Sequence, residues 1–103
     1  MATAPPTVSD VLTRDRVQAL KDLAARYGVK RLRLFGSYAR GEATADSDLD
    51  LLIDIEYGAG VARRFLGFCD HAEALLGMRV DVLTEDGLDE ILHARILREA
   101  RPL

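Results

Sequence analysis

Apolar residues recur along this chain with two different periods, and the switches between them mark its elements. From Thr13 to Tyr27, the residues Val17, Leu20, Leu23, Ala24 and Tyr27 return at three- and four-residue spacing. That spacing predicts a helix with one apolar face, capped by Thr13 and followed by Gly28 at a left-handed C′ position. Lys30 to Phe35 alternates instead, with Leu32 and Leu34 on one face and Arg31 and Arg33 on the other, which predicts a strand. Gly36 to Arg40 then turns into a brief helix. Asp48 to Ile55 alternates again: Leu49, Leu51, Ile53 and Ile55 face one side, and Asp48, Asp50, Leu52 and Asp54 the other. Gly58 and Gly60 break this second strand.

Val61 to Leu76 returns to helical spacing, with Val61, Phe65, Phe68, Cys69, Ala72 and Leu76 on one stripe. Arg79 to Leu83 is a third strand bearing Asp81. A last helix is expected from about Leu88 to Arg101, with Leu88, Ile91, Leu92, Ile96 and Ala100 turned inward. The order helix, strand, strand, helix, strand, helix predicts an α/β sandwich in which helices pack on a small mixed sheet. Residues 13–103 form its single domain, and residues 1–12 are expected to be a flexible tail.

Bulk properties narrow the class. The 103 residues suit one small domain, and 49% apolar with 30% charged residues is ordinary for a soluble globular protein. No apolar run approaches the roughly 20 residues of a membrane span, and the first residues lack the pattern of a secretory signal. The single cysteine, Cys69, can form no intramolecular disulfide and reads as core, in keeping with a cytoplasmic protein. A net charge of −3 argues against nucleic acid as a direct partner.

Charge placement says more. From Glu42 to Glu56 there are six acids and no base. A polyanionic substrate would be repelled there unless a cation intervened. Within this run Asp48 and Asp50 lie two apart, so in a strand both project to one face. Gly36 and Ser37 precede them by a turn whose free amides and hydroxyl can hold a phosphate. Two clustered carboxylates beside a phosphate seat point to a divalent cation and to transfer of a phosphorus group. Gly36-x4-Gly41 fits half of a P-loop, but Glu42-Ala43 stands where that motif needs Lys-Ser/Thr, so a P-loop is excluded.

Asp81 sits between Val80 and Val82. Either it faces water on a half-exposed strand, or its strand lies beside Asp48–Ile55 and it completes a carboxylate triad. Three oxygen ligands would suit Mg²⁺, in one or two ions, better than zinc, for which no Cys/His set has the spacing. Arg40 either joins Gly36 and Ser37 on the nucleotide or pairs with a local carboxylate. Tyr38 covers the site or sits at the core edge. Arg63 and Arg64, at a helix start, contact a partner or the nucleotide. His71 and His93 read as helix-surface residues.

Gly36-Ser37, ten residues, then Asp48-x-Asp50 resembles the motif of the DNA polymerase β-like nucleotidyltransferase superfamily. Gly36-Ser37-Tyr38-Ala39-Arg40-Gly41 is similar, more narrowly, to the minimal nucleotidyltransferases, many of them antitoxins of HEPN–MNT toxin–antitoxin pairs. The resemblance runs from about Asp15 to the C-terminus. It implies the polymerase β-like fold, Mg²⁺ on Asp48, Asp50 and Asp81, ATP as substrate, and AMP transfer to a hydroxyl, tyrosine in particular, of a HEPN ribonuclease toxin. Two other functions fit the same residues: neutralisation by binding alone, and transfer to a small hydroxylated compound such as an antibiotic.

Overall fold

The computed structural model describes residues 4–87 and 89–103. The chain runs α1 (Val8–Val11), α2 (Arg14–Arg26), β1 (Val29–Phe35), α3 (Gly36–Arg40), β2 (Leu49–Ile55), α4 (Val61–Leu76), β3 (Val80–Thr84), a 3₁₀ turn (Glu85–Gly87), α5 (Glu90–Glu99) and β4 (Arg101–Pro102). No helix among the described residues is long and apolar enough to cross a membrane.

Local chemistry explains the boundaries. The Thr13 hydroxyl accepts from Arg16 N–H and starts α2. Gly28, at φ +75°, ends it in the left-handed region. Within the segment expected as a tail, Thr7 and Asp10 form a reciprocal capping box that secures the single turn of α1.

The four strands are ordered β3-β2-β1-β4. β1 is antiparallel to β2 and β4, whereas β3 is parallel to β2, so the sheet is mixed. Alternation along β2 gives the sheet two unlike faces. Leu49, Leu51, Ile53 and Ile55 join Leu20, Leu23, Phe68 and Ala72 in the main core under α2 and α4. The opposite face carries a much smaller cluster, Phe35 and Leu52 with Ile96 of α5, flanked by Leu83, Leu97 and Ala100. Register stacks this face in rows: Asp50 is paired with Asp81, and Leu52 with Leu83. α5 covers the apolar row and leaves the carboxylate row open.

Three expectations need correction at α5. The helix ends at Glu99, and Arg101–Pro102 pairs with Arg33 and Leu34 of β1 instead of extending it. The residue before a proline is driven to extended backbone, which stops the helix. Ile91 and Leu92 do not face inward; they are 79% and 40% exposed. The apolar row beneath α5 is short, and only the C-terminal half of the helix reaches it. Leu88, expected inward, lies outside the described residues.

Candidate active site

Asp50 lies at the start of β2, where its Cα is opposite Phe35 of β1 on one side and Asp81 of β3 on the other. Asp48 lies just ahead of the strand, whose entry is fixed by Leu49 N–H donating to the Arg79 carbonyl at 3.0 Å. The backbone thus gathers Asp48, Asp50 and Asp81 at one end of the sheet. Asp50 is half-buried and Asp81 exposed. Burial, then the Asp81 and Asp48 carboxylates, push the Asp50 carboxyl up to about 6; Arg40 pulls the other way and is outweighed.

Gly36 follows β1 with φ +78°. A Cβ there would run into the Asp50 carboxyl. Glycine is therefore required twice, by its dihedral and by the close approach of loop and carboxylate. Gly36, Ser37 and Arg40 form α3, and Gly41 closes it at φ +73°. Tyr38 is 4% exposed and belongs to the main core, so its ring supports the loop from beneath.

Arg40 takes the carboxylate partners. Its Nε donates to Glu42 at 3.1 Å and its Nη1 to Glu99 at 3.0 Å and 3.2 Å. Glu99 also accepts from Gly36 N–H at 3.0 Å. Burial raises the Glu99 carboxyl, but the donors of Arg40 and Gly36 outweigh it, and the net shift is downward. Sequence reasoning did not single out Glu99. The available signal was a carboxylate three residues past the buried Ile96, on the stripe that faces the sheet.

Two hollows meet at the carboxylate row. One, of about 290 Å³, is lined by Gly36, Arg40, Asp50, Leu83, Ile96 and Glu99 among others. The second, of about 260 Å³, holds Asp48, Glu73, Arg79 and Asp81. A larger hollow of about 440 Å³ between α2 and β1 contains no candidate site residue. Arg64 is remote from the carboxylates: it donates to the carbonyls of Tyr27 and Glu56 at the far end of the β1–β2 pair, a structural role. His71 is exposed and bonded to the Tyr27 hydroxyl, and His93 lies 3.4 Å from Glu85.

As their side chains stand, no three His, Cys, Asp or Glu groups among the described residues converge on one point. The residues nevertheless fit a hard cation. They are oxygen donors gathered at one end of the sheet, and the ionised form of Asp50 is disfavoured by burial and by the Asp81, Asp48 and Glu99 carboxylates, a cost that a cation offsets. Arg79, at 3.8 Å from Asp48 and 85% exposed, supplies little compensation.

A family model for the nucleotidyltransferase domain matches residues 16–103. Over 94 residues the chain is 37% identical to the protein adenylyltransferase MntA of Thermococcus cleftensis, covering 86% of this chain and 94% of that protein. A solved structure described as a minimal nucleotidyltransferase matches with a TM-score of 0.79 at 48% identity, over 87% of this chain and 91% of that one. A toxin–antitoxin structure with AMP-PNP matches with a TM-score of 0.69 at 18% identity, over 88% and 72%, a likeness of fold.

Proposed function

The chain belongs to the nucleotidyltransferase domain family, and on that footing we propose that it is an antitoxin that transfers AMP from ATP to a hydroxyl of a HEPN-family toxin, tyrosine in particular, and so silences it. The observation that carries this reading is the Asp50–Asp81 pair across parallel strands, with Gly36 pressed against Asp50. The protein adenylyltransferase likeness supports the choice of a protein acceptor.

Asp48, Asp50 and Asp81 would hold Mg²⁺, which supplies counter-charge to the triphosphate and lowers the pKa of an acceptor hydroxyl. The Ser37 hydroxyl and the loop amides orient the phosphates. Asp81, exposed at the edge of the row, would take the acceptor proton. The acceptor oxygen bonds to the α-phosphorus as the bond to pyrophosphate breaks. Held in line, such a transfer gains most from positioning.

The test is to incubate the chain with ATP, Mg²⁺ and a HEPN-family toxin, then weigh the toxin and assay its ribonuclease activity. A mass gain in whole AMP units together with lost activity supports the proposal. Lost activity without a mass gain would replace it with neutralisation by binding alone.

A further inference from the structure

Glu99 closes α5 on two of the groups expected to hold a triphosphate. Its carboxylate takes Gly36 N–H at 3.0 Å and Arg40 Nη1 at 3.0 Å and 3.2 Å. Glu42 takes the Nε of the same guanidinium at 3.1 Å. Arg40 is thus matched by two carboxylates, and a loop amide is occupied as well. Carboxylate and phosphate oxygens ask for the same donors in the same geometry.

From this we infer that Glu99 is a stand-in for phosphate: nucleotide binding exchanges its carboxylate for a triphosphate oxygen on Gly36 N–H and Arg40, so that Glu99 sets the affinity for nucleotide. The inference rests on the reading of this cleft as a nucleotide site.

Charge favours the exchange. With Arg40 held by two carboxylates, a triphosphate approaching Asp50 would meet Glu99 and Glu42 as further negative groups and would find only Nη2 of Arg40 open to it. Exposure permits the exchange. The side chains of Arg40 and Glu99 are 43% and 27% exposed, so water can replace either partner as the pair opens. Glu99 also has somewhere to go. Arg95 lies one turn earlier on α5, lines the same hollow, and forms no ion pair within 4 Å among the described residues. Residues four apart on a helix are neighbours, so the released carboxylate can turn to Arg95 without moving the backbone.

Glu99→Gln keeps the shape and one acceptor and removes the charge. Calorimetric titration with a non-hydrolysable ATP analogue and Mg²⁺ compares it with the wild type, alongside melting temperatures. Because a competing closed state lowers apparent affinity by the fraction it occupies, Glu99→Gln should bind about 3- to 30-fold tighter. Loss of the Glu99 charge alone would also favour a polyanion, so the same titration at high salt, which screens that part, must keep the tightening. Equal or weaker binding by folded Glu99→Gln, with the wild type binding normally, overturns the inference and leaves the nucleotide site standing. Should the variant not fold, NMR on the wild type decides. Inorganic tripolyphosphate should shift the Gly36 amide and the Glu99 carboxyl carbon together; a shift of Gly36 with Glu99 stationary overturns the exchange. If neither analogue nor tripolyphosphate binds the wild type, the nucleotide-site reading fails and this inference falls with it.

Discussion

Asp50 and Asp81 lie side by side on two parallel strands, paired Cα to Cα at the row next to the apolar patch that α5 covers. Adjacent strands lie about 4.8 Å apart. Residues so placed are close enough to share a ligand, and the Asp81 charge bears on Asp50.

Replacing both members of the sequence motif, Asp48→Asn with Asp50→Asn, should reduce transfer to the toxin to below about one hundredth of wild type. Thermal stability without added metal should be unchanged or higher, because two like charges are removed. Near wild-type transfer by the double variant would show the site to lie elsewhere.

Asp50 also predicts a pH dependence. Its folded carboxyl titrates at about 6, against 3.8 for the ordinary group. Between those values the native state binds more protons than the unfolded chain, so the slope of unfolding free energy with pH is negative there. The stabilising contribution is full below about pH 4 and is lost as pH rises through about 6. Denaturant melts across that window, with chelator present, should show the decline in wild type but not in Asp50→Asn. Saturating Mg²⁺ should reduce the decline by favouring the ionised form.

Asp81→Ala should cost chemistry more than binding. Asp48 and Asp50 remain to hold a nucleotide-bound ion, whereas the proton acceptor is gone. Single-turnover transfer should fall roughly 10²-fold or more, with nucleotide affinity little altered. Proportionate loss of both would assign Asp81 to the nucleotide's own ion, and loss of neither would make it a surface residue.

Gly36→Ala tests the close approach of loop and carboxylate. A methyl group there is strained at φ +78° and meets the Asp50 carboxyl. Stability should drop by about 1–3 kcal/mol, and Asp50 should be pushed from its place. Chemical denaturation and the pH profile above report the two effects; an unchanged profile would mean that Asp50 does not move.

On α5 the two isoleucines should behave oppositely. Ile96, 5% exposed beneath the helix, should cost about 2–5 kcal/mol as Ala. Ile91, 79% exposed, should change stability by no more than about 0.5 kcal/mol as Gln. Equal losses would place Ile91 in the core after all.

Elements defined by near-neighbour chemistry were legible from the residues alone. α4 has the bounds its apolar stripe indicates, and Thr13 and Gly28 bracket α2 as their side chains dictate. Strand parity brings Asp48 and Asp50 to the same end of β2, and Asp50 pairs in register with Asp81 because β3 runs beside β2. What escaped depends on distant partners. The inward face of α5 is set by how much apolar surface the sheet offers, and Ile91 finds none. β4 exists because Arg33 and Leu34 of β1 were available at an edge. Glu99 reaches Gly36 across 63 positions of sequence, a span over which no local period carries information.

The strand order leaves β3 and β4 as the rims of the sheet, and each rim is unsuited to stacking against another molecule. Leu103 N–H is directed into the sheet, at Leu32 O; alternation therefore aims the nitrogen of Pro102 outward, where it has no hydrogen to offer a passing strand. The other rim is only five residues long and presents the charged, exposed Asp81. Charge and brevity are the usual defences of a bare rim against aggregation. The carboxylate proposed for chemistry thus also serves solubility, and Asp81→Ala should scatter more light than wild type in concentrated solution.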